Sequence, residues 1–403
     1  MKKALLRILR RLDDYTYVFS RKKRVLFVVE GLYGFLCQYP IICELEKLPN
    51  ITVAVTSVDA NIIETIETSH DDALKACFQR YYIPDTKAQY MKWNFVLDSH
   101  LNRFYPKRNS IRIGMHHGSG FGILGNKVNR VKSYDIFFGF SQAEKKFLTA
   151  TDPEIFTTGR LFFPVGSPKT DAVLNQSIDR EGRLKQLSLP DRQTILITSH
   201  WVDISLLAVF QEKAFAALAN AFPEFNVVQT GHPWMWKMGK DSVATNSKNR
   251  FKSISDAQTS DIYSRIEFVA GEFENAFFLP NLVAEELLPI ADVLIADHSS
   301  VISSYCLLDR SIVWFKHPQL EFSMPEMESL YSSASFRFSD IEELVVMCHA
   351  AVKSPELHSQ GREEMRAMLY CNLGESARYA AQLIANFPAC FSLDDQRWRE
   401  YLG

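Results

Sequence analysis

The chain has 403 residues, 47% of them hydrophobic and 23% charged, which describes a soluble globular protein long enough for two cores. Its 45 basic and 47 acidic residues nearly cancel, and nothing in the overall balance suggests a nucleic-acid partner. Seven scattered cysteines (Cys37, Cys43, Cys77, Cys306, Cys348, Cys371, Cys390) without a Cys-x-x-Cys read as reduced thiols of a cytosolic protein with no zinc site.

The first segment runs from Met1 to Arg24. Leu5, Ile8, Leu9 and Leu12 recur at helical spacing, Tyr15 and Phe19 extend the stripe, and Lys2, Lys3, Arg7, Arg10 and Arg11 surround it. The pattern predicts a basic amphipathic helix lying on an anionic membrane surface, at about 1 kcal/mol per Lys or Arg near the lipid. The competing reading is a surface helix with a solvated basic face. No apolar run approaches the ~20 residues that span a bilayer, and no signal-peptide pattern is expected. The expected location is therefore cytoplasmic, peripheral on the inner face of the membrane.

A parallel-sheet rhythm then begins. Buried strands are predicted at Arg24–Val29, Ile51–Thr56, Asn94–Leu97, Ile111–Met115, Tyr134–Phe140 and Leu161–Val165. Gly31-Leu32-Tyr33-Gly34 reads as a turn into a helix, and Ser141-Gln142-Ala143-Glu144 has the form of a capping box. The composition turns polar from Gln176 to Asp191, which sets the expected division: residues 25–180 as an N-terminal acceptor domain and 181–403 as a C-terminal nucleotide-donor domain. After it, strands are predicted at Thr194–Thr198, Phe225–Gln229, Ile266–Val269 and Ser311–Phe315. A long helix is predicted over Leu206–Phe222, loop over Lys237–Asp261, and a mostly helical tail from Ile341 to Phe387. Ala291 to Ala296 is a further strand. It ends abruptly in Asp297-His298-Ser299-Ser300, and a helix over Val301–Leu308 follows. The expected fold class is α/β: two Rossmann-like domains facing a cleft.

Ligands of open α/β sheets sit beyond the carboxyl ends of the strands, and four polar clusters fall there: His117-Gly118-Ser119, Gly166-Ser167-Pro168-Lys169-Thr170-Asp171, His232-Pro233 and Asp297-His298-Ser299-Ser300. His116 and His117 cannot both face one ligand if they continue a strand. His117, beside Gly118, is the candidate for taking a proton from an attacking hydroxyl; the alternative is a hydrogen-bonded structural histidine. His232 is placed to donate to a phosphate oxygen or leaving group, and Lys169 to supply charge. Asp171 either accepts from a hydroxyl or caps a short helix. Ser299 and Ser300, with the amides around them, suit a phosphate cradle or a helix cap. The chain lacks Asp-x-Asp, a Walker loop, a Gly-x-Ser-x-Gly elbow and a full Gly-x-Gly-x-x-Gly after the first strand. These absences fit a metal-independent transfer without a cofactor.

The ordered set resembles the CDP-glycerol glycerophosphotransferase family of teichoic-acid and capsule polymerases. That family shows His-Gly-Thr, Gly-Tyr-Pro-Arg-x-Asp, His-Pro and Asp-Val-Leu-Ile-Thr-Asp-Tyr-Ser-Ser, and the likeness covers roughly Ile111 to Ile384. The resemblance implies a GT-B fold, His117 as general base, and His232 with Ser299 and Ser300 on the donor pyrophosphate. It also implies Gly118, Ser119, Lys169, Asp171, Asp297 and His298 around the donor. The implied partners are a CDP-activated polyol, a lipid-linked or polysaccharide acceptor and a membrane surface. The chain departs from the pattern at Gly120-Phe121-Gly122, where a lysine is missing, at Lys169 for Arg, at Thr230-Gly231 before His-Pro, and at His298 for Tyr. Two further readings follow: a glycosyltransferase using a nucleotide sugar in capsule or lipopolysaccharide synthesis, and an inactive GT-B scaffold in surface-polymer assembly.

Overall fold

A computed structural model describes residues 2–67, 69, 71–101, 104, 106–118, 128–157, 159–175, 179–232 and 253–387, with side chains from Ile8 onward except Leu9. It divides into two compact units. The first comprises Met1–His117, Asn126–Asp171 and Tyr370–Gly403, and the main segment of the second is Ala172–Leu369. The crossover thus falls nine residues before the expected boundary, and the chain from Tyr370 groups with the first unit.

In the first unit, β1 (Lys23–Val29), β2 (Ile51–Ser57), β3 (Phe95–Asp98), β4 (Ile111–Met115), β5 (Ile136–Gly139) and β6 (Leu161–Pro164) form one sheet in the order β2-β1-β3-β4-β5-β6. Every neighbouring pair is parallel. Val25 to Val29 are all fully buried, as the unbroken apolar run requires of a strand covered on both faces. The chain leaves β1 toward β2 on one side and returns to β3 on the other, so the strand order reverses between β1 and β3.

The second unit repeats the scheme with β7 (Thr194–Ile197), β8 (Asn226–Gln229), β9 (Ala276–Phe278), β10 (Val293–Ala296), β11 (Ser311–Phe315) and β12 (Phe336–Phe338), ordered β12-β11-β10-β7-β8-β9 and again parallel throughout. This is the dinucleotide-fold order, with its reversal between β7 and β10. Ile195, Ile197, Phe215, Val227, Ile295, Val313 and Phe338 lie in one core with helix Lys213–Ala221.

Three predicted elements come out differently. The helix expected over Leu206–Phe222 is two, Leu206–Phe210 and Lys213–Ala221, broken where Gln211 adopts φ 53°. The strand expected at Ile266–Val269 lies inside helix Asp256–Glu272. There Ile262, Ile266 and Val269 are buried at helical spacing, and Ser255 and Gln258 form a capping box that ends the expected loop early. The edge strands β9 and β12 have three residues each, too few for a period to register.

Helix Lys2–Ser20 docks by its polar side. Asp13 pairs with Arg24 and Arg108, Asp14 with Arg108, and Asn94 donates to the Tyr17 hydroxyl at 2.7 Å. Ile8, Leu12, Tyr15 and Phe19, at spacings of four, three and four residues, are 56%, 56%, 64% and 78% exposed. This inverts the usual arrangement, in which the apolar stripe faces the protein. Among the described residues no helix is long and apolar enough to cross a membrane.

Candidate active site

Beyond the carboxyl ends of β1, β3 and β4, the first unit gathers Tyr33, His100 and His117. Asp98, the last residue of β3, is buried. It accepts the His100 backbone N–H at 2.8 Å and the Tyr134 hydroxyl at 2.7 Å, which fixes the turn. The His100 ring stacks on His117, with centroids 4.5 Å apart and planes at 19°. Tyr33 meets His117 edge-on at 5.5 Å. A Cβ on Gly34 would lie 2.4 Å from His100 Cε1; Gly34 lies in helix Gly31–Glu46 and not in the expected turn, and its missing side chain makes room for this stack. His117 Nδ1 lies 3.3 Å from the Ser99 carbonyl oxygen. A carbonyl only accepts, so this contact favours the tautomer with the proton on Nδ1 and the basic lone pair on Nε2.

His116 turns the other way. Its Nδ1 donates to Glu144 at 2.6 Å, and its ring stands edge-on to Phe137. Glu144 is fully buried and also accepts the Phe140 N–H at 2.7 Å. The expected capping box is thus half formed: Ser141 accepts from the Ala143 N–H, while Glu144 serves His116.

Lys169 belongs to the same unit. It donates to the Tyr33 hydroxyl and stands 4.4 Å from that ring's centroid. The rest of its motif grips the returning tail. Asp171 accepts the N–H groups of Ser376 at 3.3 Å and Ala377 at 2.7 Å, at the start of helix Ser376–Asn386. Gly166, at φ +94°, passes so close to the tail that a Cβ would lie 2.2 Å from the Cys371 carbonyl oxygen. Burial pushes the Asp171 carboxyl up to about 6, against the two N–H groups that favour its charge.

In the second unit, three adjacent strands each end in a histidine: His298 after β10, His200 after β7 and His232 after β8. The His200 and His298 rings are 4.7 Å apart, and those of His200 and His232 5.2 Å. Asp297 is fully buried and holds the turn together. It accepts from the Ser199 hydroxyl at 3.0 Å, from the His200 N–H at 2.9 Å and from the Leu206 N–H at 2.9 Å. Ser299 Oγ accepts the Val301 N–H at 3.3 Å, and the Ser300 carbonyl accepts from Ser303 at 2.7 Å, so both close the short helix Val301–Tyr305. Burial lowers all three imidazoles. His232 falls to about 3, with His298 adding to the effect and Glu285 opposing it. His200 falls well below its usual range, with His298 and His232 adding. His298 is lowered against the pull of Asp297.

Residues 15–324 match the family described as CDP-glycerol:poly(glycerophosphate) glycerophosphotransferase. The chain belongs to that family. No individually curated protein matches it. Among solved structures it is similar to a variant of the wall teichoic acid polymerase TagF soaked with CDPG (TM-score 0.60, 15% identity, 98% of this chain and 93% of that one). It is also similar to UDP-GlcNAc 2-epimerase from Neisseria meningitidis bound to UDP-GlcNAc (TM-score 0.59, 12% identity, 90% and 100%). At these identities the likeness establishes the GT-B fold, two Rossmann-like units in one chain. The protein is thus a glycerophosphotransferase-type enzyme.

Of the residues singled out in the sequence of this glycerophosphotransferase, His117 and Lys169 share the Tyr33 side chain in the first unit. His232 and His298 are joined through His200 in the second. Gly118 follows His117 in the same turn; Ser119 and Pro233 lie outside the described residues. The described contacts of Asp171 and Asp297 are with the chain's own N–H and O–H groups. Sequence reading missed Tyr33, His100 and His200. His200 had a usable signal, for it follows β7 at the same three-residue interval at which His232 follows β8.

Proposed function

We propose that this enzyme transfers a polyol phosphate from a CDP-activated donor to a hydroxyl of a lipid-linked or polymeric cell-surface glycan. The acceptor hydroxyl attacks the phosphorus bonded to the polyol. A new O–P bond forms, the P–O–P bridge breaks with its electron pair going to CMP, and the hydroxyl proton passes to His117 Nε2. The observation that carries the reading is His117 itself: a family-motif histidine at a strand end, with Nδ1 turned to a carbonyl, which favours the tautomer whose Nε2 is basic.

In this reading His232, His298, Ser299 and Ser300 meet the donor's phosphate charge. Imidazole N–H and hydroxyl donors then carry the charge without a bound cation. Asp171 and Asp297 act by holding backbone. The exposed stripe of helix Lys2–Ser20 supports attachment to the cytoplasmic face of the membrane, where a lipid-linked acceptor resides. His117→Asn is the test. It should lower kcat about 10²–10⁴-fold while the thermal shift given by CDP is unchanged. Turnover near the wild-type rate would overturn the assignment.

A further inference from the structure

The reversal of strand order in the second unit, between β7 and β10, is where an open α/β sheet receives its ligand, and His200 and His298 stand on its two sides. His298 is 3% exposed and its Nε2 has no hydrogen-bond partner; neither does the buried Nδ1 of His200. A buried polar nitrogen left unpaired is destabilising, and here two fall on rings in contact. Among the described residues nothing supplies their partner. The neighbouring carboxylate oxygen, Asp297 Oδ1, is 4.0 Å from His298 Nδ1, beyond hydrogen-bond reach, and that carboxylate already accepts from Ser199, His200 and Leu206. By gripping the His200 backbone, Asp297 also fixes one ring against the other.

We propose that His200 and His298 form a paired imidazole clamp for the diphosphate of the nucleotide donor. Neither residue is supplied by the family motifs: His298 stands where the motif has tyrosine, and His200 lies in none of them. Each neutral ring offers one N–H and takes the tautomer its partner requires, and phosphoryl oxygens, which only accept, satisfy both. Two such rings in contact suit two linked phosphates better than one, so the pair selects a diphosphate over a monophosphate. The clamp rests on the reading that the second unit holds a nucleoside-diphosphate donor.

The test measures affinities for cytidine, CMP, CDP, UMP, UDP and inorganic pyrophosphate by titration calorimetry, on wild type, His200→Phe, His298→Phe and His298→Gln. Phenylalanine keeps the ring volume and Gln keeps an N–H. Each Phe variant should bind CDP and pyrophosphate at least about tenfold more weakly, bind cytidine as wild type does, and lose the preference for CDP over CMP. His298→Gln should retain most of the CDP affinity. Unchanged CDP and pyrophosphate binding in both Phe variants overturns the clamp and leaves the CDP-donor reading standing. An equal loss for cytidine also overturns it, since a collapsed site would do that. If wild type binds pyrophosphate and the Phe variants lose it, while cytidine nucleotides bind no better than uridine nucleotides, the clamp holds and the CDP reading fails.

Discussion

Asp171 and Asp297 stand in motifs that read as ligand-binding, yet both accept N–H groups of the chain itself. A carboxylate looks the same in sequence whether it meets a donor or a backbone, and the partners of Asp171 lie 205 and 206 residues away. That separation hides the role. The strand-end position of His117 was legible from the apolar run before it, whereas its neighbour His100 was hidden because β3 runs one residue further than its apolar run. For Asp171 the energetics make a prediction. Its carboxyl is raised to about 6 when folded, so its contribution is fully present below the unfolded value near 3.8 and is lost as pH rises through about 6. The melting temperature of wild type relative to Asp171→Asn should therefore fall between about pH 4 and pH 7, by the equivalent of about 1–2 kcal/mol. A difference that stays flat across that range would contradict the burial argument.

At the scale of elements, long buried strands and the first helix were readable from period alone. The misreadings have local physical causes: one residue at positive φ splitting a helix, an apolar run of helical spacing mistaken for a strand, and edge strands of three residues. Helix Lys2–Ser20 was read correctly as amphipathic, but the sequence could not say which side would face the body. The answer is the polar side, tied by Asp13, Asp14 and Tyr17. Replacing Leu12 and Phe19 together by Gln should weaken binding to phosphatidylglycerol vesicles by at least about tenfold, since each side chain offers about 1.5–3 kcal/mol of burial. Stability should stay within about 0.5 kcal/mol per site, because both are exposed in the folded chain. Vesicle binding equal to wild type in a sedimentation assay would refute the membrane role of this face.

Over the whole molecule, the two α/β repeats were legible from the recurrence of buried strands and polar turns, but strand order was not. Order depends on pairing between distant segments, and it is what brings His200 beside His298. The return of the chain from Tyr370 to the first unit escaped reading for the same reason: Gly166 and Asp171 hold it through backbone contacts that leave no period. The central claim is attack at phosphorus on a CDP-linked donor, and the leaving group reports it directly. Incubated with CDP-glycerol or CDP-ribitol and a membrane acceptor fraction, the enzyme should release CMP in step with a new phosphodiester seen by phosphorus NMR, and UDP-sugars should give no nucleotide release. Release of an intact nucleoside diphosphate from a nucleotide sugar, with no CMP from either CDP-polyol, would mean attack at carbon and would contradict the account.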